Sequence, residues 1–213
     1  MTSTITHHLD DATLMCFAAG SLPQALSAVV ATHIAVCPQC SREARRLDLV
    51  GAVLFAGLRD TQLERPVPVM ALHRLEADAA TVPNTPASTE VPAPLARLIG
   101  TNLDRVPWRR MGLGVWHHRL PSGDGDLRLI KVAAGRRMPE HGHGGAELTM
   151  MLRGSYSDVT GTYRPGDVAD LDDDIEHAPV ADPESGCICL IASEKPAHFK
   201  GLIPRLVQPL TGL

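Results

Sequence analysis

GRRMPEHGHGGAELTMMLRG, residues Gly135 to Gly154, is the stretch whose reading decides the fold. His141 and His143 stand two residues apart, so on an extended segment their imidazoles point to the same side. Glu147 opens the returning apolar segment and brings a carboxylate to the same centre. Glycines mark the turns that let these segments meet. An interior that holds imidazoles and a carboxylate is costly unless the groups are paired or metal-bound, and a divalent metal satisfies all of them together.

Outward from this stretch the pattern is that of an all-β domain. Short apolar segments at Arg128–Ala133, Leu148–Leu152, Asp167–Leu171 and Cys187–Ala192 alternate with Gly, Pro and Asp turns. Segments of this length, spaced by turn signals, predict a sandwich or barrel. The spacing G-x5-H-x-H-x3-E-x6-G resembles the cupin pattern at every fixed position, which implies a jelly-roll barrel with a metal centre. A second cupin motif contributes one further His. In TYRPGDVADLDDDIEHAPV the turn Pro165–Gly166–Asp167 is followed by His177, although Asp172, Asp173 and Asp174 replace the usual Pro-x-Gly-x-x-His approach. The expected barrel ligands are His141, His143, Glu147 and His177. Zinc is the first expectation for this mixed site, and iron, manganese or nickel also suit it. Cys187 and Cys189 lie two apart in the apolar run CICLIA and share a face. They are buried structural thiols or, if they face the metal, redox-active ones.

Residues 81–94, TVPNTPASTEVPAP, hold four prolines and read as an extended linker between residues 1–80 and 95–213. Before it the period is helical. Asp10 or Asp11 caps a helix that ends near Gly20, and Ser21 and Pro23 fit the start of a second running to about Val36. A third begins near Pro38 and carries Leu47, Val50, Leu54 and Leu58 on one face. A shorter fourth is expected over Val69 to Ala79. The fold class is therefore α+β: a small, about four-helix unit followed by an all-β barrel. Four short helices make a small core, which a structural metal would supplement.

His33, Cys37 and Cys40 form H-x3-C-x2-C, with His33 and Cys37 one helical turn apart and the C-P-Q-C turn folding Cys40 back. Thiolate and imidazole are the donors of closed zinc sites, which take four ligands. His8 is the best fourth candidate, with His7 beside it as the alternative. Cys16 reads as a buried thiol within an apolar helix. A redox C-x2-C is the competing reading, but no βαβ pattern surrounds it.

The run LMCFAAGSLPQALSAVVATHIAVCPQC, together with the barrel motif that follows, resembles the zinc-binding anti-sigma factors of the ChrR type. These join a helical zinc domain to a cupin-like domain, and the resemblance covers nearly the whole chain. It implies zinc on His8, His33, Cys37 and Cys40, and a one-to-one complex with an extracytoplasmic-function sigma factor. Phe17 stands where the family pattern has Tyr. The expected function is release of that sigma factor when the barrel senses singlet oxygen or an organic hydroperoxide. A metal-dependent cupin enzyme such as a dioxygenase is the alternative, although no general acid or base beyond the ligands is evident.

Composition agrees with a soluble, non-nucleic-acid-binding protein. The 213 residues are 44% hydrophobic and 21% charged, with a net charge of −4 that supplies no basic surface for phosphates. Aromatic residues are 3%, so the core must be aliphatic. No apolar run reaches membrane-spanning length, and the N-terminus lacks a signal-peptide pattern. Five cysteines, four of them in close pairs, fit a reducing cytoplasm better than a disulfide framework.

Overall fold

Asp10 starts the first helix as its N-cap: the carboxylate accepts from the Thr13 amide at 2.6 Å, and α1 runs Asp11–Ala18. Gly20, at φ 67°, supplies the left-handed residue on which the chain turns after α1. α2 spans Gln24–Ile34 and α3 spans Pro38–Ala56. In this computed structural model the described residues are 4–59, 90–142, 144–171, 175–195 and 198–199. The expected helix at Val69–Ala79 and linker residues 81–89 lie outside them. The last two positions of the expected linker, 93 and 94, belong to a helix, α4 (Ala93–Ile99), which tolerates Pro94 because the proline falls in its first turn.

Ser21 does not cap α2. Its hydroxyl turns back to the Cys16 carbonyl, and the cap comes from the β region instead. Asp124 accepts from the Gln24 amide through its side chain and from the Ala25 amide through its carbonyl. Cys16 is exposed rather than buried, because α1 turns only part of its apolar surface inward, with Leu14 as its buried residue.

The β region is wholly antiparallel where its strands pair. Its strands are β1 (Arg109–Gly112), β2 (Val115–Leu120), β3 (Asp126–Val132), β4 (His141–Gly142), β5 (Glu147–Gly154) and β6 (Tyr156–Ser157). They continue as β7 (Thr162–Tyr163), β8 (Val168–Leu171), β9 (Val180–Ala181), β10 (Cys187–Ser193) and β11 (His198–Phe199). A six-stranded sheet in the order β1-β2-β3-β10-β5-β8 faces a smaller one, β7-β6-β9, with β4 and β11 paired beside them. The last glycine of the opening motif has a steric role. Gly154 sits at φ 71°, and a Cβ there would lie 2.0 Å from the Gly186 carbonyl oxygen.

Alternation along the central strands divides them between two cores, which explains runs such as CICLIA that are apolar throughout. Leu127 and Leu129 of β3, Leu148 and Met150 of β5, and Leu190 of β10 face outward. They share one core with Leu26, Val29 and Val30 of α2 and Leu95 of α4. The alternate residues Ile130, Val132, Met151, Cys187 and Cys189 build a second core inside the barrel. Fully burying four side chains such as Leu26, Val29, Val30 and Leu95 is worth roughly 6–12 kcal/mol as an upper bound. The helices are therefore seated on the sheet rather than carried beside it.

The third helix departs from expectation. Leu47 packs against the core, but Val50, Leu54 and Leu58 are exposed, together with Leu49, Val53 and Phe55. An apolar stripe shows which side of a helix seeks cover, not whether the same chain supplies it. Here no described residue does.

Candidate metal centres

Four donors converge where the end of α2 meets the start of α3. One atom each of His8, His33, Cys37 and Cys40 lies within 4.8 Å of all the others. Cys37 is the N-cap of α3 and Cys40 lies in its first turn, so both thiols meet the positive end of the helix dipole. His33 Nε2 is 3.3 Å from Cys40 Sγ, and His8 Nδ1 is 3.3 Å from Cys37 Sγ and 3.7 Å from Cys40 Sγ. Edges of a tetrahedron around zinc with these donors are about 3.3–3.8 Å, so the spacing fits one shared ion. His33 Nδ1 donates to the Gly166 carbonyl at 3.0 Å, which leaves the Nε2 lone pair aimed at the cluster. Burial lowers the His33 imidazole to about 4, keeping it neutral and ready to ligate. Burial also pushes the Cys40 thiol up to about 11, a cost that a bound cation removes.

Of the two candidate histidines, His8 joins this cluster and His7 does not. Adjacent residues of an extended segment point to opposite sides. His7 accordingly faces the barrel, stacking on Tyr163 at 4.3 Å with its Nδ1 3.5 Å from Asp167 Oδ2. Asp167, which is 1% exposed, anchors the segment by accepting from the amides of Thr6 at 2.7 Å, His7 at 3.0 Å and Arg164 at 2.8 Å. Burial alone would raise its carboxyl, but these amides hold it below the usual range. A depressed folded pKa gives stability that is present above the unfolded value of about 3.9 and lost as pH falls through the folded one. Asp167→Ala should cost about 2–3 kcal/mol, since charged hydrogen bonds to two docked amides disappear. The check is a thermal melt, with the wild-type advantage shrinking below about pH 4.

The second cluster lies inside the barrel. His141, Glu147 and His177 converge, with Glu147 and His177 only 7% and 4% exposed. His141 Nδ1 donates to the Pro139 carbonyl at 2.9 Å and His177 Nδ1 to Asp158 Oδ2 at 2.6 Å. With both Nδ1 atoms engaged, the two Nε2 atoms face each other at 3.2 Å. A shared proton or a cation between them satisfies both nitrogens, and the nearby Glu147 carboxylate suits a cation. Glu147 fits because inward alternation on β5 points it there, with Thr149 donating to it at 3.3 Å. His143, expected as the fourth ligand, lies outside the described residues, as do Asp172, Asp173 and Asp174. Asp158, which holds His177, carries no motif; only its position across the barrel assigns it.

A cavity of about 110 Å3 opens beside this cluster, lined by apolar side chains such as Met111, Ile130 and Met138. Cys187 and Cys189 both face into it, which resolves their orientation as inward. Interaction with the neighbouring Cys189 lowers the Cys187 thiol, while the same interaction and burial push the Cys189 thiol well up. The Cys189 thiol donates to the Ile130 carbonyl at 3.7 Å.

Comparison with known proteins agrees with a helical region followed by a cupin-like domain. Residues 97–196 match the model of the ChrR cupin-like domain. The anti-sigma-E factor ChrR of Cereibacter sphaeroides is 39% identical over 208 residues, spanning 97% of this chain and 98% of that protein. This chain belongs to the ChrR family of anti-sigma factors. A crystal structure of Rhodobacter sphaeroides SigE in complex with the anti-sigma ChrR matches at a TM-score of 0.74 and 39% identity. That match covers 89% of this chain and 100% of the solved one. Both donor clusters of this ChrR family member come from its own geometry, and no described helix is long and apolar enough to cross a membrane.

Proposed function

We propose that this protein is a cytoplasmic anti-sigma factor that holds an extracytoplasmic-function sigma factor in a one-to-one complex. The helical cluster binds zinc, and that ion fixes the angle between α2 and α3. The observation that carries the reading is the exposed apolar stripe on α3, where Val53, Leu54 and Phe55 are 73%, 69% and 76% exposed. A surface of this kind marks a partner site. The complex formed by the relative with SigE supports a sigma factor as that partner. Co-expression of the full chain with a sigma factor encoded beside its gene tests this, followed by size-exclusion chromatography and metal analysis. A stable equimolar complex is expected, and separate elution would overturn the reading. In the same assay Leu54→Asp with Phe55→Asp should weaken binding at least about a hundredfold, since two apolar anchors are lost. Folding and zinc content should stay unchanged.

The barrel acts as the sensor rather than as an enzyme. Its metal and the paired thiols share one small cavity, which suits singlet oxygen or an organic hydroperoxide. Zinc is the expected barrel metal, with iron, manganese or nickel fitting the same donors. With a hydroperoxide, the Cys187 thiolate attacks the distal peroxide oxygen and the O–O bond breaks. Cys187 becomes a sulfenic acid, and the alcohol leaves after taking up one proton. Mass spectrometry after hydroperoxide treatment should find one added oxygen on Cys187, and multiple turnovers of the oxidant without net modification would favour the enzyme reading.

A further inference from the structure

One short segment, residues 156–167, contacts residues of both donor clusters or their immediate neighbours. At the barrel end Asp158 uses its two oxygens for different tasks. Oδ2 accepts from His177 Nδ1 at 2.6 Å. Oδ1 closes the β6–β7 turn, accepting from the Thr160 amide at 2.8 Å, the Thr160 hydroxyl at 2.6 Å and the Gly161 amide at 3.2 Å. The Thr160 hydroxyl has spent its proton there, so its oxygen accepts from the Tyr163 hydroxyl at 2.9 Å.

Tyr163 carries the contact onward. Its ring lies between Tyr156, at 4.9 Å, and His7, at 4.3 Å. His7 precedes His8, a donor of the helical cluster, by one residue. Three residues after Tyr163, the Gly166 carbonyl holds the ring of His33, a second donor, and Asp167 pins the backbone of Thr6 and His7. Two of the four helical donors therefore take their orientation from the segment that also orients a barrel ligand. The fit is close: a Cβ on Gly161 would lie 3.0 Å from His7 Nε2, and one on Gly166 would lie 2.7 Å from Ile5 Cγ1.

We propose that residues 156–167 transmit the state of the barrel site to the helical zinc site. When His177 is held on the barrel ion, Asp158 stays fixed between His177 and the turn, Tyr163 stays stacked, and the segment carrying His8 stays docked. When the barrel site is emptied or altered, His177 loses its fixed position and its hold on Asp158. The turn then loosens, and the grip on His8 and His33 weakens with it. This regulation rests on the anti-sigma reading for its biological consequence, but the coupling between the two sites stands apart from it.

The test is a double-mutant cycle on the full chain, read as the rate at which a chromogenic chelator takes zinc from the helical site. Glu147→Ala empties the barrel. Thr160→Ala removes the hydroxyl that joins Asp158 to Tyr163 and touches neither cluster. In the wild-type background Glu147→Ala should speed helical zinc release about tenfold, a typical coupling between distinct sites. In the Thr160→Ala background the same change should act less than about twofold, because the link is already cut. Equal effects in both backgrounds, or none in either, would overturn the proposal. Tyr163→Leu serves as a second cut should water replace the Thr160 hydroxyl. Hydrogen exchange of residues 4–10 gives an independent readout, with faster exchange expected in Glu147→Ala than in the Thr160→Ala pair comparison. None of these measurements needs a partner, so failure of sigma-factor binding and failure of the coupling are told apart.

Discussion

Cys37→Ser should strip the helical site of its zinc and abolish partner binding. Serine is nearly the size of cysteine, so the change removes a thiolate without opening a cavity. It leaves Cys40, His8 and His33 around an incomplete tetrahedron. Cys37 is also the N-cap of α3 and lies 1% exposed at the joint with α2. Loss of one soft ligand is expected to weaken zinc at least about a thousandfold, or about 4 kcal/mol at 1.4 kcal/mol per tenfold. In a site of this kind metal affinity is folding free energy, so α3 loses its fixed angle and its apolar stripe loses its presentation. Zinc content by plasma mass spectrometry and binding by calorimetry check the outcome. Tight sigma-factor binding by a zinc-free Cys37→Ser protein would remove the structural role given to the metal.

The second large effect is expected inside the barrel. Glu147→Ala removes the one carboxylate among the described ligands and with it the negative charge that offsets a buried divalent ion. Metal content should drop from about two ions per chain to about one, the remaining ion being the helical zinc. Partner binding should persist, because the helical zinc, though released about tenfold faster, stays bound at equilibrium and the α3 surface is untouched, and the response to oxidant should vanish. Two retained ions after gel filtration would exclude Glu147 as a ligand. Loss of both ions at equilibrium would mean that the sites are not separate centres at all.

Much of this architecture was legible in local spacing. The interval from His33 to Cys37 is one helical turn, and Pro38 starts a helix where Cys37 caps it, so the convergence of these three donor side chains was legible from backbone geometry alone. His141 and Glu147 were legible for a related reason, since strand alternation and glycine turns leave few ways to bring them together. His8 and His7 could not be separated so cleanly, because the choice depends on which side of an extended segment meets the helices. Asp158 was invisible, being an ordinary turn aspartate until the fold carries His177 to it. The solvent exposure of Val50, Leu54 and Leu58 was equally hidden, since periodicity records an apolar face and not what covers it.

By itself the sequence determined the two kinds of secondary structure, the order in which they follow one another and the donor types of both clusters. Those depend on residue type and short-range spacing, which the covalent chain sets directly. Only the tertiary structure decided that the outer face of the sheet belongs to α2, that the inner face carries Glu147 toward His141 and His177, and that residues 156–167 touch both clusters. Each strand residue has two possible sides, and long-range packing alone chooses between them.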